Sequence, residues 1–269
     1  MKDEVPGAAP ELRIDGRVAT ITMRRPTVAN RLEVEDLELM RAQIDEVNAA
    51  PEVLVLRLRG EGRHFCSGFN IRRVGHAGDA GDAGGAGGSI SAGERFEALA
   101  EALEHARPVT VAAIQGGVYG GATDLALACD FRVGAPGCEM SVPAAKLGIL
   151  FYRGGLERYV SRLGLRTAKR LLLTAEKLSA GEMLACGFLD RLAGSPAEFD
   201  PLLDALTGTL TGMAPLALLG MKKHLNRIAN GHLDADAHAR DMAAADASQD
   251  LREGALAWQQ KRPPVFVGH

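Results

Sequence analysis

"AAIQGGVYGGATDLALACDFRV", residues 112–133, runs from an apolar strand through a glycine-rich turn into an apolar helix and on toward another strand. Glycine is a poor helix residue, about 1 kcal/mol worse than alanine, yet Gly120-Gly121 stands where this helix begins. At a helix start glycine lets a ligand approach unpaired backbone N–H groups closely. Asp124 follows one turn inside the helix. Strand and helix in immediate alternation are the mark of an α/β fold.

The flanking sequence repeats the theme. "ELRIDG" and "RVATITM" read as a hairpin with Asp15-Gly16 at the turn. "EVEDLELMRAQIDEVNA" places Leu37, Met40, Ile44 and Val47 at helical spacing. "EVLVLRLRG" reads as a buried strand leading into "HFCSGFNIRRV", and "ERFEALAEALEHA" as a helix feeding the strand "VTVAAIQG". Short strands are expected at "FRVGA" and "EMSVP". Beyond residue 153 the pattern is almost all helical, and Ser179 with Glu182 in "LSAGEML" forms a capping box. Residues 75–93, "GHAGDAGDAGGAGGSISAG", bury too little apolar surface to order themselves and are expected to be mobile. They are not a phosphate loop, lacking the Gly-Lys-Ser/Thr ending.

Composition narrows the function. Apolar residues at 46% and charged residues at 24% of 269 positions suit a soluble enzyme or binding protein. A net charge of −3 gives no basic excess for a nucleic-acid partner. Cys66, Cys129, Cys138 and Cys186 form no CxxC pair, and no histidine stands at metal-ligand spacing from them. Reduced thiols, no metal site and a cytoplasmic location are therefore expected. No apolar run has the length of a membrane span, and "MKDEVPGAAP" has no signal-peptide core.

Chemistry is suggested by two strand-to-helix turns, "FCSGF" and "GGVYGGATD". Each offers a backbone N–H, from Phe69 and from Gly121. If their strands lie side by side, both donors converge on one oxygen, the arrangement of an oxyanion hole. The helix starting at Gly121 adds the positive end of its dipole. The competing reading is two ordinary tight turns.

The chain resembles the crotonase, or enoyl-CoA hydratase/isomerase, superfamily over nearly its whole length. "VATITMRRPTVANRL" is similar to the family's first hairpin strand and turn, and "FCSGFNI" and "AAIQGGVYGGATDLALACDFRV" to its two oxyanion segments. "LLLTAEKLSAGEMLACGFLDRL" and "DLREGALAWQQKRPPVFVGH" resemble its helical trimerisation region and tail. The resemblance implies a spiral of β-β-α units at residues 10–195 and a helical trimerisation region at 196–269. It also implies a homotrimer or dimer of trimers, and an acyl-CoA substrate whose thioester carbonyl is held by Phe69 and Gly121. Coenzyme A is then part of the substrate and no further cofactor is implied. Contacts to CoA carry over to Arg25 and Asn30, to the backbone from Cys66 to Gly68, and to Lys222. Arg25 and Lys222 would meet phosphates, and would otherwise be solvated surface charges.

The departures decide which reaction is open. Family hydratases use two glutamates to activate water. The first position is Asp124 here, and the second is Ala144 in "SVPAAKLGI", which cannot move a proton. Asp124 is either an acid/base group or a dipole-favoured helix acid. Downstream, in "LGILFYRGGLERY", Tyr152 either donates a proton or lines an aromatic acyl pocket with Phe151 and Phe69, while Arg153 is a candidate for a substrate carboxylate. "GGVYGGATD" and "PPVFVGH" are also similar to methylmalonyl-CoA decarboxylases, whose expected histidine and tyrosine are replaced by Phe69 and Phe151. "FCSGFNIRRV" resembles a 4-chlorobenzoyl-CoA dehalogenase segment, but the nucleophilic aspartate falls near Tyr152. Double-bond isomerisation or an atypical one-carboxylate hydration is the expectation. A malonyl-type decarboxylase and a non-catalytic thioester binder are the alternatives.

Overall fold

The strand at the heart of the quoted stretch is buried along its whole length, Val109 to Ile114, with sheet neighbours on both edges and apolar packing on both faces. A strand covered on both faces reads as a continuous apolar run, which explains "VTVAAI". In the computed structural model, which describes residues 7–70 and 91–269, this strand is β4 of a six-stranded sheet. The preceding elements are β1 (Ala8–Asp15), β2 (Val18–Arg24), α1 (Val34–Ala49), β3 (Val55–Gly60) and α2 (Ala92–Glu104). After β4 come β5 (Val118–Tyr119), α3 (Gly121–Ala128), β6 (Phe131–Gly134), β7 (Glu139–Ser141) and α4 (Arg153–Thr174). The chain continues through β8 (Leu178–Ser179), α5 (Ala180–Ala185) and β9 (Arg191–Leu192). It ends with α6 (Phe199–Thr211), α7 (Pro215–Ala229), α8 (Ala235–Ala247) and α9 (Gln249–Gln260).

Sheet order is β1-β2-β3-β4-β6-β9, antiparallel at the first pair and parallel thereafter; β5, β7 and β8 form a small second sheet. Asp15 pairs with Val18, so the hairpin loop is Gly16-Arg17, one residue later than Asp15-Gly16. Repeated β-β-α units thus build the mixed α/β fold that the sequence indicated. Period-two alternation divides the core between the two sheet faces. Leu56, Leu58, Ala112 and Ile114 pack with α1, α2 and α3 residues such as Leu37, Met40, Leu99 and Leu125. Val55, Val109, Val111 and Ala113 pack against Phe199, Leu203, Leu206 and Leu210 of α6. The two arginines of β3 reach the same helix, Arg57 to Thr207 and Asp204, and Arg59 to Asp200.

Of the stretch expected to be mobile, residues 75–90 lie outside the described residues. Its last residues start α2: Ser91 is the N-cap, its hydroxyl accepting the Glu94 N–H at 3.2 Å while the Glu94 carboxylate accepts the Ser91 N–H at 2.7 Å. Further on, α7 to α9 expose Met221, Leu225, Ile228, Leu251 and Trp258. No single helix among the described residues is long and apolar enough to cross a membrane.

One side chain ties the turn after β2 to the segment after β3. Asn30 is fully buried in the left-handed region (φ 53°). Its amide nitrogen donates to the carbonyls of Glu61, His64 and Phe65 at 2.9, 2.8 and 3.2 Å, and its oxygen accepts the Arg25 N–H at 2.9 Å. Asn30→Ala leaves buried polar groups unpaired and puts a less tolerant residue at positive φ, so we expect a loss of about 3 kcal/mol in urea denaturation. A loss under about 1 kcal/mol would contradict this role.

Candidate active site

Both glycine turns follow the carboxyl ends of neighbouring strands, β3 and β4. The chain beyond them stays in parallel contact, with Cys66 bridged to Val118. Phe65 N–H donates to Gly117 O at 3.0 Å and Tyr119 N–H to Cys66 O at 3.0 Å. At the apex a Cβ on Gly68 (φ 86°) would stand 2.9 Å from Tyr119 O and 3.0 Å from the Gly121 nitrogen. Only glycine permits that approach and that φ.

The donors themselves are left open. Phe69 forms a parallel bridge with Leu32 in which Leu32 N–H donates to Gly68 O and Asn70 N–H to Leu32 O, directing the Phe69 N–H away from that partner. Gly121 is the first residue of α3, where no intrahelical acceptor exists. Neither N–H is taken by another group among the described residues. Beneath the first turn the Cys66 thiol donates to Asn30 O at 3.0 Å and its sulfur accepts the Gly68 N–H at 3.3 Å. Burial pushes this thiol up to about 12, so it acts as a neutral brace.

Asp124 lies one turn past Gly121 and is fully buried. Its Oδ1 accepts Arg158 Nε at 3.0 Å; its Oδ2 accepts Arg158 Nη2 at 2.7 Å and the Tyr152 hydroxyl at 2.5 Å. Arg158 and Tyr152 are thus its side-chain partners among the described residues. Ala144 is packed into the core beside a short helical turn, Ala145–Leu147. Burial raises the Tyr152 phenol well above its ordinary value, and the charge and hydrogen bond of Asp124 add to the effect. Burial alone would lower Arg158, but the hydrogen bonds and charges of Asp124 and Glu104 prevail and raise it.

An aromatic wall closes over this carboxylate. Phe96 of α2 stands between Phe69 and Tyr152, at centroid distances of 6.5 and 6.2 Å, and Phe151 stacks on Tyr152 at 4.9 Å. The Phe96 ring lies against Gly121, 2.7 Å from where a Cβ would be. Phe96, Arg158 and Glu104 were missed in the sequence. Each joins the site from another helix, and no local motif marks such a contact.

Four residues expected at the ligand have their side-chain polar groups engaged by the protein itself. The Arg25 guanidinium is held by buried Asp36 at 3.1 and 2.8 Å, which fixes the entry to α1 and neutralises its charge. Asn30 is wholly engaged with backbone. Lys222 is buried, donating to Ala106 O at 2.7 Å and Pro108 O at 2.5 Å, with Asp130 at 3.0 Å. It lines a cavity of about 830 Å³ together with Leu54 and Ala106, just before the amino ends of β3 and β4, whereas the glycine turns follow the carboxyl ends. Arg153 points to solvent and pairs with Glu157 at 2.7 Å. Phe69, Gly68, Gly121, Asp124, Phe151 and Tyr152 do come together.

Comparison with known proteins bears on the fold and the family. Residues 13–269 match the enoyl-CoA hydratase/isomerase family model. The chain is 30% identical over 260 residues to the peroxisomal Delta(3,5)-Delta(2,4)-dienoyl-CoA isomerase of Arabidopsis thaliana, covering 94% of each. It is 29% identical to a crotonyl-CoA hydratase of Syntrophomonas wolfei over 265 residues, covering 95% of this chain and 96% of that one. Among solved structures it superposes on an enoyl-CoA hydratase/isomerase family member with a TM-score of 0.87 at 26% identity, covering 97% of both chains. With two open amides at adjoining glycine turns and a family match that spans the fold, the chain belongs to the enoyl-CoA hydratase/isomerase family of acyl-CoA enzymes.

Proposed function

We propose that this protein moves a double bond in an enoyl-CoA thioester, with Tyr152 exchanging the proton and Asp124 serving as its reservoir. The observation that carries this reading is the 2.5 Å hydrogen bond by which the Tyr152 hydroxyl meets the Asp124 carboxylate. Positioning water by the family's hydratase route takes two carboxylates, and Ala144 removes one. Isomerisation takes one relay and an enolate-binding oxygen site.

In this mechanism the thioester oxygen sits between the Phe69 and Gly121 N–H groups. A proton leaves the α-carbon of a β,γ-enoyl thioester for the Tyr152 oxygen as the tyrosine's own proton passes to Asp124 Oδ2. The C–H electron pair enters a dienolate whose charge rests on the thioester oxygen, where fixed amides and the α3 dipole stabilise it. Reversing the relay at the γ-carbon gives the α,β-enoyl product. Arg153, paired with Glu157 in solvent, lends no support to orienting a carboxylate for decarboxylation. The exposed apolar face of α7 to α9 supports the homotrimer that the resemblance implies.

The test is deuterium exchange at the substrate α- and γ-carbons in D2O, with conversion of β,γ- to α,β-enoyl-CoA. We expect both in the native protein. Tyr152→Phe should lower kcat about 100-fold by removing the proton-carrying oxygen. Gly68→Ala, which pushes the two turns apart, should lower it about 100-fold as well. Binding without exchange would identify a non-catalytic binder, and carbon dioxide release from a malonyl-type thioester a decarboxylase; either outcome refutes the reading.

The phenols give an independent check. Burial comes first in raising each of the three tyrosines: Tyr119, beside Glu139, reaches about 12, and Tyr152 and Tyr159, both near Asp124, also lie above the ordinary value. Absorbance of tyrosinate near 295 nm should stay flat to about pH 11, where a free phenol of pKa about 10 is mostly ionised. With folded values above unfolded ones, the stability these groups contribute is complete below about pH 10 and is lost as pH rises through the folded values. Ionisation of even one tyrosine at pH 10 in the folded protein would contradict the assigned environments.

A further inference from the structure

Arg158 is a cation held between two buried carboxylates from two other helices. Besides its two bonds to Asp124 of α3, its Nη1 donates to Glu104 Oε2 of α2 at 2.8 Å. Glu104 in turn accepts Arg162 Nη2 at 3.0 Å, and Arg162 donates on to Cys129 O at 2.7 Å. The side chains of Asp124, Arg158 and Glu104 are 0%, 3% and 5% exposed. Two carboxylates and two guanidiniums balance in charge, so the cluster is neutral as a whole.

Stability alone does not account for such a cluster. An apolar set of the same shape is often as stable or more so, because burying ions costs several kcal/mol each. What apolar groups cannot supply is direction. A two-pronged guanidinium fixes the plane of the carboxylate it holds, and Glu104 fixes the plane of the guanidinium by taking its remaining arm. With both prongs set, Asp124 Oδ2 has its free lone pair toward the Tyr152 hydroxyl. We propose that Arg158 and Glu104 are positioning residues that aim Asp124 at Tyr152 and so set the efficiency of proton transfer. This inference rests on the relay proposed above.

The experiment uses the full chain with Arg158→Lys, Glu104→Gln and Tyr152→Phe, alone and with Arg158→Lys combined with Tyr152→Phe. Substrate deuterium exchange, kcat and KM are the readouts, and near-UV circular dichroism checks folding. Arg158→Lys keeps the charge and loses the fork; kcat should fall about tenfold with KM within about twofold of the native value. Glu104→Gln should lower kcat about threefold. On the Tyr152→Phe background Arg158→Lys should cost little more, because there is no relay left to aim. Native kcat in folded Arg158→Lys, or the same tenfold loss with or without Tyr152, would overturn the proposal. If Arg158→Lys does not fold, the near-isosteric Glu104→Gln decides, and an unchanged kcat overturns it. A native protein that exchanges no substrate proton would instead refute the relay itself.

Discussion

The approach of Gly68 to the Gly121 amide is the contact on which the candidate site depends. Both glycine turns are local, but an oxyanion site needs them together, and only the parallel seam from Phe65–Cys66 to Gly117–Tyr119 brings them together. A side chain on Gly68 would occupy the narrow space between the turns. The surroundings reinforce this arrangement: Asn30 gathers the carbonyls upstream of the turn, Cys66 braces its underside, and Phe96 closes on Gly121. In the proposed reaction these groups are in place before substrate arrives, so no reorganisation is needed when charge develops on the thioester oxygen.

Behind that polar floor lies a charged cluster where apolar packing would be expected. Three helices, α2, α3 and α4, meet around Asp124, Glu104, Arg158 and Arg162. The cluster and the aromatic wall do complementary work. Phe69, Phe96, Phe151 and Tyr152 exclude water from one side of the carboxylate, and the guanidinium holds it from the other. In a low-dielectric setting each hydrogen bond is stronger than in water, and an unpaired group costs correspondingly more. The Tyr152 hydroxyl joins this buried charge to the aromatic side of the site.

Much of the fold was legible because it is written in local pattern. The four apolar residues of α1, the capping box at Ser179, the apolar run of β4 and the glycine turns follow from periodicity and turn chemistry, and each stands where it was expected. Charged residues were harder to place. Arg25 and Lys222 look in sequence like cations available to phosphate, and both are buried against carboxylates, Asp36 and Asp130. Their partners lie on other elements, and charge alone does not reveal whether a side chain faces solvent or a buried acid.

The sequence by itself determined the α/β alternation and the two glycine turns with their backbone donors, since these depend on residue type at a single position or on short-range period. Tertiary structure alone decided that the turn at Gly68 meets the Gly121 amide, that Tyr152 addresses Asp124, and that Arg158, itself held by Glu104, pairs with that carboxylate. Those pairings join segments from 28 to 54 residues apart. Over such separations the chain's own geometry imposes no distance, and packing of helices onto the sheet sets it.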